Sequence, residues 1–216
     1  FVLVRVAPGN PIAMMLPPGA SQADIAQLTA LYGLDKPWLE QFLIWAGNVL
    51  QGDFGTSISL RQPVLELVLQ RLPATLELSF LALFIAVLLG GLTAIWGARQ
   101  RGRTGEAVID VFNGATLSIP DFLWGLLLIL LFGVLWPVFQ ISGRVSPQLA
   151  LPFVTEFYLL ESLIRLRFDL LLNILSHMLM PALALALPLA AIISQLLKQG
   201  LKDTLQLDYT VLARVK

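Results

Sequence analysis

Cysteine is absent and histidine occurs once, at His177. The first absence excludes disulfides, thiolate metal sites and thiol catalysis, and the second leaves no imidazole pair for a His-based metal site. Charge is also scarce. Of 216 residues, 13% are charged and 57% hydrophobic, against roughly 25% charged in ordinary soluble domains. A soluble chain of this size would lack the polar residues to cover its core. Lys plus Arg and Asp plus Glu each number 14, so the charge balance predicts no nucleic-acid partner. No signal peptide is visible, and the first residue is Phe. "FVLVRVAPGNP" is read as the last turns of a helix that begins outside the sequence, with residues 1–7 as its end.

What is abundant is apolar runs of membrane length. A spanning helix needs about 20 apolar residues. Three segments qualify, at about 76–98, 107–136 and 178–197. The middle one has Asp110 near its start and Asp121 inside it, and at 1.5 Å per residue it measures about 45 Å against a hydrocarbon core of roughly 30 Å. Splitting it at Ser118–Pro120 would leave a first piece of about 21 Å, too short to cross. One long bent span is therefore expected.

Lys and Arg in short connections mark the cytoplasmic side. Segment 99–106 carries Arg99, Arg101 and Arg103 against Glu106. Segment 198–216 carries Lys198, Lys202, Arg214 and Lys216 against Asp203 and Asp208. Segment 8–75 is net acidic, with Lys36, Arg61 and Arg71 against Asp24, Asp35, Glu40, Asp53 and Glu66. The map expected is 8–75 and 137–177 outside, with 99–106 and 198–216 in the cytoplasm.

The outer segments carry helix signals. "SQADIAQLTALYGL" has Ser21 as N-cap and Gly33 as stop, and "KPWLEQFLIWAGNVLQG" has Pro37 at its start and Gly52 past its end. Trp38, Phe42 and Trp45 suit a helix at the membrane interface; packing on the outer mouth is the equal alternative. A further short helix is expected over Pro63–Leu72. In 142–177, Thr155, Ser162, Arg165, Asp169, Asn173 and Ser176 share one helical stripe. Glu161–Arg165 and Arg165–Asp169 are spaced as i,i+4 pairs worth a few tenths of a kcal/mol. One amphipathic helix on the outer leaflet is expected there.

Few residues invite chemistry. Asp121 lies at membrane depth, where a carboxylate is costly and marks a pathway or a partner. Ser118-Ile119-Pro120-Asp121 also has the spacing of a capping box, so Ser118, Pro120 and Asp121 form either a helix break or part of a translocation path. Asp110, Glu77 and His177 are expected at membrane boundaries. "GARQRGRT" (97–104) only superficially matches a phosphate loop: Arg103 replaces its Lys, and it follows a membrane helix. Gly90, Gly91 and Gly97 allow close helix contact, and Pro181 and Pro188 allow bending. A packed bundle with few membrane charges suits a transporter of bulky solutes. The residues alone leave open a gradient-driven secondary transporter or channel, for which Asp121 is the one good coupling carboxylate.

Eight stretches carry a resemblance, in order along the chain. They are "APGNP" (7–11), "YGLDKPWLEQFLIW" (32–45), "GDFGTSI" (52–58), "RLPATLELSF" (71–80), "LSIPDFLWGLLLILLF" (117–132), "SGR" (142–144), "MPALALALPLAAI" (180–192) and "LDYTVLARVK" (207–216). The chain resembles permease subunits of dipeptide, oligopeptide and nickel ABC importers. That resemblance implies an all-α, polytopic, type I ABC importer transmembrane domain. The chain would supply the end of helix 1, helices 2 to 4 and external amphipathic helices. It implies a noncatalytic subunit without cofactors, whose partners are a second homologous permease, two ATP-binding subunits that bind the ATP, an external solute-binding protein and the lipid bilayer. It implies placement in the inner membrane. The family's cytoplasmic coupling loop reads approximately Asp-Tyr-Val-Arg-Thr-Ala-Arg-Ala-Lys-Gly. Asp208, Tyr209, Ala213, Arg214 and Lys216 match it, whereas Thr210, Val211, Leu212 and Val215 differ.

Overall fold

The structure is a computed structural model and describes residues 16, 21–31, 33–57, 60–149 and 153–204. The helix end expected at 1–7 and the coupling-loop start expected at 205–216 lie outside these residues. The described chain is helical, and its one β-bridge joins Thr56 and Pro63. It divides into two compact units, 1–72 and 73–216.

The first unit holds α1 (Gln22–Leu31) and α2 (Trp38–Leu50). α1 ends where Gly33 turns left-handed at φ +61° and Leu34 N–H bonds back to Thr29 O at 2.9 Å. Pro37 sits at the N-cap of α2, and Gly52 at φ +86° follows its end. The short helix expected at Pro63–Leu72 is not separate. It is the beginning of α3, one 36-residue helix (Val64–Arg99) that passes through Pro73.

The second unit is built on α7 (Phe168–Thr204), a continuous helix of 37 residues containing both Pro181 and Pro188. α4 (Thr104–Ser118), α5 (Asp121–Ile129) and α6 (Tyr158–Ile164) all pack on it. So does α3, through Ala86 against Ala186 and Ala190. Leu128 of α5 meets Met180 and Ala184, and Leu170, Ile174 and Met178 gather Leu78, Leu81, Phe153 and Tyr158. Many apolar side chains remain outward, such as Phe80 at 69% exposure and Val111 at 72%. α3 and α7 are each long and apolar enough to cross a bilayer. An apolar exterior over apolar helices of that length is the signature of a polytopic membrane protein.

The stretch expected as a single bent span is broken into two helices that together are long and apolar enough to cross a bilayer. α4 and the α5–π-helical pair (π turns at Leu130–Leu135) diverge by 101°. Proline explains the break. Pro120 has no N–H to give, and the residue before a proline is pushed out of the helical region; Ile119 sits at φ −97°, ψ 122°.

The single amphipathic helix expected in 142–177 is also absent. α6 has seven residues, Leu166 turns left-handed at φ +53°, and residues from Phe168 onward belong to α7. The Glu161–Arg165 pair forms, but Asp169 pairs instead with Arg167, because the interruption destroys the i,i+4 register. The segment folds over one end of the bundle, with Val145, Leu149, Phe153 and Leu159 on the α7 core.

Candidate functional site: a polar seam through the helix bundle

In a bundle so poor in charge, the polar side chains that α7 collects are the candidates. They lie at three levels: a charged cluster at the α7 C-terminal end, a hydroxyl–amide node inside, and a carboxylate–guanidinium clasp under α6.

At the first level, Lys198 of α7 reaches Asp110 Oδ1 and Oδ2 at 2.7 Å each and Glu106 Oε1 at 2.9 Å, so one ammonium ties two turns of α4. Glu106 Oε2 accepts the Gly102 N–H at 2.7 Å, which fixes the left-handed turn (φ +72°) between α3 and α4. A shallow cavity beside the cluster is lined by Ala98, Arg101, Gly102, Glu106, Lys198 and Lys202. The expected boundary residue Asp110 is thus one half of a helix-to-helix ion pair. Its partner lies 88 residues along the chain, and sequence spacing gave no sign of it.

At the second level Ser194 is fully buried. Its Oγ receives the Asn113 amide at 3.2 Å and sits 3.0 Å from the Thr93 hydroxyl, joining α3, α4 and α7 at one point. Asn113 is nearly as buried. Buried polar groups of this kind hold their helices in one register, because an unpaired amide in an apolar interior costs about 1–3 kcal/mol. None of the three stood out in the sequence, although each is an isolated polar position in an apolar run.

At the third level Glu77, expected at a boundary, is buried on α3. Its Oε1 accepts Leu159 N–H at 2.8 Å and Leu160 N–H at 3.2 Å, capping the start of α6 from another helix. Its Oε2 lies 3.4 Å from Arg144. Arg144 also donates to Glu156 O at 2.7 Å and lies 3.8 Å from the centroid of the Tyr158 ring, which stacks on Phe153. Beside it, Glu161 accepts the N–H groups of Val154 and Thr155. Those bonds, the Val154 one foremost, hold its carboxyl below the usual carboxylate range. His177, expected at a boundary, is buried in α7 with Nδ1 2.8 Å from Asn173 O.

The residues at the α4–α5 break behave differently from the capping-box expectation. The N-cap of α5 is Pro120, with no side-chain cap, and the Ser118 hydroxyl turns back to Gly114 O at 2.8 Å. The carbonyl that Pro120 cannot serve, four residues before it, belongs to Thr116. The Trp124 indole N–H supplies the missing donor at 3.3 Å. A tryptophan four residues after the proline was the readable signal. Ser118 and Asp121 remain exposed on the surface of the bundle. Among the described residues, no cluster of His, Asp and Glu has the makings of a metal site.

No protein-family model matches the chain. Comparison with curated proteins gives a consistent set of relatives. The oligopeptide transport system permease AppB of Bacillus subtilis is 38% identical over 135 residues, covering 62% of this chain and 43% of the relative. The dipeptide transport system permease DppB of Escherichia coli K12 is 36% identical over 168 residues, covering 76% of this chain and 50% of the relative. This chain belongs to the peptide-transport permease family. The di/tripeptide transport permease of Pseudomonas aeruginosa, at 35% identity over 76% of the chain, falls in the same group. The chain spans about half the length of the curated permeases it matches. The ordered resemblance of the eight sequence stretches and the identity to these permeases agree.

Proposed function

We propose that this chain is part of the inner-membrane permease of an ATP-driven importer for di- and oligopeptides. The observation that carries the reading is the identity of 34–38% to peptide-transport permeases over 62–82% of the chain. In this reading the subunit is noncatalytic. It forms the translocation path with a second, homologous permease, receives substrate from an external solute-binding protein, and is driven by two ATP-binding subunits that bind and hydrolyse the ATP.

The bundle geometry suits such a role. α7 is one rod of about 55 Å at 1.5 Å per residue, and α3, α4, α5 and α6 all rest on it. A displacement at its C-terminal end is passed to α4 through Lys198, Glu106 and Asp110, and to α3 and α4 together through Ser194. The proposed coupling segment, with Asp208, Tyr209, Ala213, Arg214 and Lys216, follows α7 directly in sequence. A short helix seated in a groove of an ATPase and continuous with this rod would bias it between two states according to nucleotide. Asp121 is exposed at the 101° helix break, and this reading assigns it to the translocation path, because a carboxylate at membrane depth is stable only against water or a polar partner.

Reversing the charges at the coupling segment, with Arg214→Glu and Lys216→Glu in the full-length permease of an assembled transporter, is expected to separate ATP hydrolysis from uptake. Hydrolysis should continue while uptake falls severalfold. Uptake and hydrolysis that stay in their wild-type ratio would remove these side chains from the coupling.

A further inference from the structure

We propose that the cavity where α3 and α7 end and α4 begins binds the phosphate headgroup of an anionic phospholipid. The cavity has a volume of about 270 Å³ and is lined by Ala98, Arg101, Gly102, Glu106, Lys198 and Lys202. Three cations thus face one carboxylate, and that carboxylate is already engaged. Glu106 accepts the Gly102 N–H through Oε2 and the Lys198 ammonium through Oε1. Lys198 is engaged in turn by Glu106 and Asp110. Arg101 and Lys202 remain. Both are exposed, and among the described residues neither takes part in a hydrogen bond or an ion pair. Arg101 lies in the turn after α3 and Lys202 in the last turn of α7. The fold therefore brings two uncompensated cations to one cavity, and an anion is the counter-charge it takes.

The cavity stands at headgroup level. Residues 78–98 of α3 hold no charge, and at 1.5 Å per residue they measure about 31 Å, the thickness of a hydrocarbon core. α7 carries no Asp, Glu, Lys or Arg between Asp169 and Lys198. The two apolar stretches stop at the same height, because a Cβ on Gly97 would lie 3.4 Å from the Lys198 side chain and 3.3 Å from Ile109 of α4. The three helices are thus in contact where the hydrocarbon layer ends.

The rim favours a lipid over a free anion. Ile95 and Trp96, within a turn of Ala98 on α3, are 47% and 52% exposed, and Leu197 beside Lys198 is 47% exposed. Indole rings favour the headgroup level. A free phosphate would use the cations and leave this apolar rim untouched. A phospholipid meets both, with its phosphate between Arg101 and Lys202 and its chains along the apolar flank. Basic pockets between membrane helices recognise anionic headgroups in this way.

Arg99, Arg101 and Arg103 share one connection, yet of these only Arg101 lines the cavity. Full-length permeases carrying Arg99→Gln, Arg101→Gln, Lys202→Gln or the Arg101→Gln/Lys202→Gln pair are titrated with phosphatidylglycerol or phosphatidylcholine in one detergent. Native mass spectrometry reads the dissociation constant of the first bound lipid. The unsubstituted protein is expected to hold phosphatidylglycerol severalfold more tightly than phosphatidylcholine. Each cation near an anionic lipid contributes about fivefold, so Arg101→Gln and Lys202→Gln should each weaken phosphatidylglycerol by about that factor and the pair by about 25-fold. Arg99→Gln should leave it nearly unchanged. Equal losses at Arg99 and Arg101 would mean a diffuse basic surface, and no preference over phosphatidylcholine would mean no recognition of the headgroup. Displacement of the lipid by inorganic phosphate would mean a free-anion site, and loss of the Arg101-dependent lipid on assembly with ATPase subunits would mean a protein cover. Any of these overturns the proposal. The readout involves no transport, so its failure leaves the importer reading standing.

Discussion

Replacing Gly90 with alanine is expected to destabilise the bundle, while the same change at Gly91 leaves it intact. A Cβ at Gly90 would lie 2.7 Å from Ala190 O and 2.9 Å from the Ile193 side chain, whereas at Gly91 it would meet nothing within 4 Å. The first contact is with backbone of α7 and cannot swing aside, so α3 must move away from α7. Overpacking of this kind costs about 1–3 kcal/mol, and sometimes more. The damage extends beyond one contact. Ala86 and Ala186 are fully buried at the same interface, and Thr93, one turn along α3, must stay within 3.0 Å of Ser194. Separating the helices also strips the Ser194 node. Both substitutions gain the same intrinsic helix preference of alanine over glycine, about 1 kcal/mol, so their difference isolates the close approach. Thermal unfolding of the two purified full-length variants in one detergent measures it. Equal midpoints for Gly90→Ala and Gly91→Ala would contradict the packing of α3 on α7.

Glu77→Ala is expected to loosen the segment folded over the bundle end. The substitution leaves the Leu159 and Leu160 amides without their cap and Arg144 without its buried partner. Breaking a fully buried pair costs about 3–5 kcal/mol. Arg144 keeps Glu156 and the Tyr158 ring and is about a third exposed, so a cost of about 2 kcal/mol is expected. Glu77→Gln retains a carbonyl for the two amides and should fall between. Limited trypsin digestion reads this out at Arg144, Arg165 and Arg167. Cleavage should be fastest in Glu77→Ala and intermediate in Glu77→Gln. Wild-type resistance in Glu77→Ala would show that the clasp does not hold the segment.

The long apolar helices were legible because span length and composition are set by the bilayer, not by partners. The peptide-permease resemblance was legible for a different reason, as ordered stretches rather than chemistry. What escaped the sequence was contact between helices. Glu77 reads as a boundary carboxylate because its partners lie 67, 82 and 83 residues away. Ser194, Asn113 and Thr93 read as scattered polar residues until three helix faces meet. The capping-box spacing at Ser118 pointed to a local solution, yet the structure satisfies the Thr116 carbonyl from Trp124 across the break. The long amphipathic stripe of 142–177 failed at Leu166, whose left-handed backbone is uncommon for a leucine and leaves no mark in a hydrophobicity pattern. Local rules found the helices, and the seam between them needed the fold.

The proposed importer role predicts transport driven by ATP rather than by an ion gradient. The most direct measurement reconstitutes the full-length permease with its second permease and ATPase subunits in sealed vesicles, with the solute-binding protein and a labelled dipeptide outside. ATP is supplied or withheld on the ATPase side, and proton and sodium gradients are collapsed by ionophores. Uptake is expected to require ATP and both ATPase subunits and to survive loss of the gradients. Uptake that persists without ATP and disappears with the gradients would contradict it.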